Sequence, residues 1–207
     1  MTPHHFPPST GTATRLRLPL LAFLLLLAPA VAGAHPTTGG VGGLVGGFLH
    51  PLTGLDHVAA MVAVGLWGAY LGAPAMWLLP VIFPMVMAFG GALGVIGVPL
   101  PGVEICIALS GVMLGLAVAA AARPPLWVAG TMVGTFAIFH GHAHGTELPH
   151  AANPFTYAVG FVLATGLLHL GGISLGLLTR WPWGQVVVRT GGGLIACIGF
   201  GFLFGLL

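Results

Sequence analysis

Apolar residues fill long stretches of this chain, and polar residues fall mostly in the short breaks between them. After a leucine-rich run at Leu18 to Leu27, six apolar segments follow, at about Gly39–Tyr70, Met76–Val98, Val103–Ala122, Leu126–His144, Pro154–Leu178 and Val186–Leu207. All but the first have the length of one membrane-spanning helix, near ~20 residues. The first is too long for one straight crossing and too short for two. As a helix it would measure roughly 48 Å against a ~30 Å hydrocarbon core. Pro51 and Gly54 sit in its middle, and a broken or strongly kinked helix resolves the conflict. Pro80 and Pro84 predict a further kink in the next segment. The pattern therefore predicts an all-α fold: a polytopic helical membrane bundle of six transmembrane helices, the first of them broken.

Composition narrows the class. The 207 residues are 57% hydrophobic and 4% charged, too few charges to cover a soluble domain of this length. Lysine is absent and the net charge of +2 rests on five Arg, so no basic face exists for nucleic acid. Cys106 and Cys197 lie inside apolar runs and form neither a disulfide framework nor a CxxC metal motif. Glycine pairs recur at four-residue spacing: Gly42/Gly46, Gly43/Gly47, Gly111/Gly115, Gly130/Gly134, Gly172/Gly176 and Gly201/Gly205. Such pairs let membrane helices approach closely, and some must arise by chance in a chain this rich in glycine.

Arg15 and Arg17 precede the leucine-rich run, Pro29 breaks it, and Ala32-Gly33-Ala34 reads as a cleavage site. This predicts a secretory signal peptide over 1–34 and a single transmembrane permease domain over 35–207; an uncleaved first helix is the alternative. Cleavage places His35 on the exported side. Six crossings then put Arg123, Arg180 and Arg189 on the cytoplasmic side, as the positive-inside rule requires. The expected location is a bacterial inner membrane, with the mature N-terminus periplasmic.

The few acids carry the chemistry. Two of the three lie in histidine-rich motifs, His50-Pro51-Leu52-Thr53-Gly54-Leu55-Asp56-His57 and His140-Gly141-His142-Ala143-His144-Gly145-Thr146-Glu147. Imidazole with carboxylate is a ligand set for a transition-metal ion. His140, His144 and Glu147 follow i, i+4, i+7 spacing and form one helical stripe. His142 points away from that stripe, and Gly141 and Gly145 leave the backbone open around it. Asp56 and His57 follow the predicted break, where transporters often build midplane sites; Asp56 also suits an N-cap. Glu104 opens the third segment as a ligand, a proton carrier or an exposed helix-start acid. His169, between Leu168 and Leu170, reads equally as a packing histidine or a ligand. A free His35 terminus could chelate through its amine and ring, or simply be solvated.

These two motifs, with an opening His35-Pro36, resemble the HupE/UreJ family over essentially the whole mature chain. That family comprises hydrogenase- and urease-accessory membrane proteins regarded as nickel or cobalt permeases. The resemblance implies that His50, Asp56, His57, Glu104, His144 and Glu147 stand at positions needed for transport, and that Phe83 stands at a position of interest. It implies a transported Ni²⁺ or Co²⁺, no prosthetic group, a lipid bilayer and nickel-enzyme maturation proteins as partners, and no enzymatic activity. On this reading His140, His142 and His35 collect the ion at an exported mouth. His144 and Glu147 then pass it inward to His50, Asp56, His57 and Glu104. The residues alone leave two alternatives, an intramembrane zinc-dependent hydrolase and a metal sensor or storage protein.

Overall fold

The computed structural model describes residues 40–148 and 153–207, with side chains from residue 43 onward. The predicted signal peptide and His35 lie outside the described residues. Among the described residues seven α-helices follow in order: α1 (Gly40–Thr53), α2 (Leu55–Leu71), α3 (Ala75–Val95), α4 (Val103–Ala119), α5 (Leu126–Thr146), α6 (Pro154–Gly176) and α7 (Pro182–Leu203). A 3₁₀ turn over Leu177–Arg180 prolongs α6. No strand occurs among the described residues, so the chain is a polytopic helical membrane bundle. Each of the six apolar segments is helical, and the first is divided in two.

The division falls where the length argument places it. α1 and α2 meet at 82°. Gly54 joins them with an extended backbone, φ −90° and ψ 116°. α1 runs through Pro51 without ending, so the glycine makes the break and the proline only precedes it. Helix α3 likewise runs through Pro80 and Pro84 as one element. Among the described residues three helices are long and apolar enough to cross a membrane, and a fourth span results where the bent pair counts as one. α4 is shorter, at 17 residues. α5 has the length, at 21 residues, but ends in its polar histidine run.

α2 is the central element, with every residue from Val58 to Ala69 buried. That explains why it is apolar all round. α1 lies on the first half of α6 and α2 on the second half. Gly47 faces the Tyr157 backbone and Gly160 the Leu44 carbonyl, while Gly65 and Gly172 meet each other. α3 packs on α5, and α4 on α7 through Gly111, Gly115, Gly192 and Gly199. The pairs Gly43/Gly47, Gly111/Gly115 and Gly172/Gly176 are thus real contacts, whereas Gly46 and Gly205 have no neighbour within 4 Å of a built Cβ. Gly141 and Gly145 do not leave open space, as the sequence led us to expect. The carbonyls of Met87 and Gly91 on α3 fill it.

One end of the bundle carries the arginines. The Arg123 guanidinium lies 4.9 Å from the Tyr70 ring centroid. The Trp67 indole N–H donates to the Ala122 carbonyl at 3.0 Å. Arg189 Nε donates to the Ala119 carbonyl at 2.8 Å. Both histidine motifs lie away from this end, at the start of α2 and the end of α5.

Candidate metal centre

The break brings the two motifs together. His50, in the last turn of α1, has its ring 4.8 Å from that of His144 on α5. The His57 ring, in the first turn of α2, lies 4.4 Å from the same His144 and 4.9 Å from His140. Glu147, the C-cap of α5, places Oε2 3.5 Å from His50 Nε2. Ligand atoms of His50, His144 and Glu147 all fall within 4.8 Å of one another. Two ligands on opposite sides of one ion stand about 4 Å apart, so small side-chain rotations would close the set. The motifs do not form an entrance and a separate lower site; they meet in one cluster.

Hydrogen bonds orient each ring. Asp56 accepts from His57 Nδ1 at 2.9 Å, which leaves the buried His57 Nε2 with its lone pair and no partner. A carboxylate behind an imidazole is the usual support of a metal-binding histidine. Asp56 is not the N-cap of α2: Gly54 holds that position without a side-chain cap, and Asp56 sits in the first turn, where the helix dipole favours a negative charge. A Cβ on residue 54 would lie 2.9 Å from Asp56 Oδ1 and 3.0 Å from His57 Nδ1. Glycine there makes the bend and also leaves room for the pair.

His140 is fully buried and so is not a solvent-facing collector of ions. Ser110 donates its hydroxyl to the Ile107 carbonyl at 2.6 Å and so accepts from His140 Nε2 at 2.8 Å. The His140 Nδ1 lone pair is then left buried and unpartnered. His144 is more exposed to this argument still: both of its ring nitrogens are buried without a partner. Leaving such groups unsatisfied costs about 1–3 kcal/mol each, and most buried polar groups avoid it. A cation in the cluster would take the lone pair of each imidazole it touches, though not the N–H that neutral His144 keeps on its other nitrogen.

Other candidates stand apart. His142 donates from Nε2 to the Val98 carbonyl at 2.7 Å and anchors the α3–α4 loop, away from the cluster. Glu104 is exposed in the first turn of α4, not inward of the histidines. It does share a cavity of about 110 Å³ with Asp56, bordered by Phe202 and Leu203. A second cavity, about 180 Å³, is mostly apolar and reaches His144 between Met87, Gly91, Tyr157 and Phe161. The Phe83 ring is fully buried and touches His140 at a centroid distance of 5.5 Å. Cys106 and Cys197 line neither cavity.

Sequence reading did not single out Ser110, Tyr157 or Phe161. Phe161 covers His144, with ring centroids 4.2 Å apart, and Tyr157 lies 5.9 Å from His50. Their four-residue spacing on α6 was visible, but only the packing of α6 against α1 gives it meaning.

Known proteins match most of the chain. The HupE / UreJ protein family matches residues 22–202. Protein HupE of Rhizobium leguminosarum bv. viciae is 48% identical over 180 residues, covering 87% of this chain and 94% of that protein. No solved structure matches. Both histidine motifs, the broken helix and the glycine-packed bundle fall inside the matched span, and the chain belongs to the HupE/UreJ family.

Proposed function

We propose that this protein is a secondary permease that carries Ni²⁺ or Co²⁺ across a bacterial inner membrane into the cytoplasm, for hydrogenase or urease maturation. The observation that carries the reading is His144: a buried imidazole without a partner on either nitrogen, packed between His50 and His57. Membership of a family of accessory transport proteins sets the hydrolase alternative aside.

Charge balance supports a dication. Asp56 and Glu147 supply two carboxylates beside neutral imidazoles, so a bound M²⁺ would leave little net charge at bilayer depth. Nitrogen and oxygen ligands without thiolate suit an ion that must also leave. The arginine end faces the cytoplasm by the positive-inside rule, so the cluster opens to the exported half. On this path Glu104 and Asp56 draw the ion into their shared cavity. His57 Nε2 and His144 then take it, with His50 and Glu147 completing the site. His140, beneath, receives it next. Residues 1–34 serve as a cleaved leader, with 35–207 as the transport domain.

The test is metal flux into proteoliposomes containing the full chain. Wild type is expected to accumulate Ni²⁺ or Co²⁺, and His144→Ala to lose at least about tenfold of that rate. Stoichiometric binding without flux in the wild type would instead mark a sensor or storage protein.

A further inference from the structure

One more imidazole lies buried beyond the cluster. His169 on α6 is 1% exposed. Tyr157, Phe161, Thr165 and His169 recur every four residues and follow one side of that helix. The first two border the cluster at His50 and His144, and His169 lies two turns farther on, towards the arginine end. The Phe83 ring stands between the levels, 5.5 Å from His140 and 5.6 Å from His169.

The hydrogen bonding of His169 leaves one ring nitrogen available. Its Nδ1–H donates to the Met61 carbonyl at 2.8 Å. That contact fixes the tautomer and aims the ring. Nε2 is left with a lone pair, buried and unpartnered. A carbonyl on one nitrogen and a free lone pair on the other is how metal-binding imidazoles are held. His142 is held the same way, on the Val98 carbonyl with Nδ1 buried and unpartnered, so what sets His169 apart is its place behind Phe83, next in line after His140. Thr165 Oγ1, one turn back on the same side, is also fully buried and unpartnered.

We propose that His169 Nε2, assisted by the Thr165 hydroxyl, is an inner binding position that takes the divalent cation after it passes Phe83. The proposal rests on the permease reading. One imidazole and one hydroxyl bind weakly compared with the outer cluster, as an exit position must.

The test measures Ni²⁺ flux and Ni²⁺ binding on the same purified full-length protein, in proteoliposomes and detergent. His169→Asn keeps an amide N–H for the Met61 carbonyl and removes the Nε2 lone pair. It is expected to bind Ni²⁺ within about twofold of wild type and to transport at least about tenfold more slowly. Thr165→Val, nearly the same shape, is expected to slow flux with binding unchanged, and guards against a folding defect at 169. Wild-type flux from both variants overturns the inner position while leaving the permease reading intact. Equal loss of binding and flux in His169→Asn overturns it too, because the residue would then be supporting the outer cluster. Absence of Ni²⁺ and Co²⁺ flux in the wild type overturns the permease reading and this position with it.

Discussion

Replacing Asp56 by Asn isolates the electrostatic part of the proposed site. Asparagine keeps an oxygen that can accept from His57 Nδ1, now 2.9 Å from the carboxylate, so the ring stays oriented while the charge is lost. A cation on His57 Nε2 would sit about 7 Å from that charge, from the hydrogen bond, the ring width and a ~2.1 Å metal–nitrogen bond. A unit charge and a dication at that distance attract by about 5 kcal/mol at an effective dielectric of about 20. The Asp56 side chain is 21% exposed and borders a cavity, so solvent screens much of this. Loss of a supporting partner costs roughly 10–100-fold in metal affinity, or about 1.4–2.8 kcal/mol. The expected result is a Kd for Ni²⁺ raised at least about tenfold in calorimetric titration, a matching rise in KM for uptake, and a melting temperature close to wild type. An Asp56→Asn protein that melts normally and binds within twofold of wild type would refute the assignment of Asp56 as support for a ligand.

Protons compete with metal for imidazole and carboxylate, so initial uptake rates should fall as pH is lowered equally on both sides of the vesicle; a rate that rises on acidification contradicts the ligand set. Gly54→Ala puts a Cβ 2.9 Å from Asp56 Oδ1, and flux should drop severalfold while the bundle still folds, read by uptake beside a thermal melt. Gly141→Leu drives a side chain into the Met87 carbonyl of α3 and should destabilise the protein by about 1–3 kcal/mol. Gly46→Ala, where nothing lies within 4 Å, should leave stability within about 0.5 kcal/mol. His142→Ala loses a bond to the Val98 carbonyl and no cluster ligand, so Ni²⁺ affinity in the folded variant should match wild type.

Much of the fold was legible because bilayer thickness fixes segment length. The 32 residues of Gly39–Tyr70 could not be one straight span, and the bend at Gly54 is the outcome. The i, i+4, i+7 stripe of His140, His144 and Glu147 also held, because α5 stays helical to Thr146 and Glu147 caps it. Depth was misread. Sequence spacing says which residues share a face but not what packs over it, so His140 was expected at the mouth and lies fully buried on Ser110. Glu104 was placed inward of the histidines on the transport path, but it is exposed at a helix start, the last of the three roles its position offered. No local signal marks the partners of Gly141 or His142, since both are set by α3 and the loop after it.

The bend does more than fit a long segment into the bilayer. In a straight helix, positions 50 and 57 would be separated by about 10.5 Å along the axis, and a ring on a neighbouring helix would meet one or the other. The 82° turn at Gly54 brings both within 4.8 Å and 4.4 Å of His144. It also leaves Asp56 in the first turn of a new helix, on the side of the cavity shared with Glu104. One glycine thus sets the meeting of three histidines, the support for one of them and the access of solvent to that support.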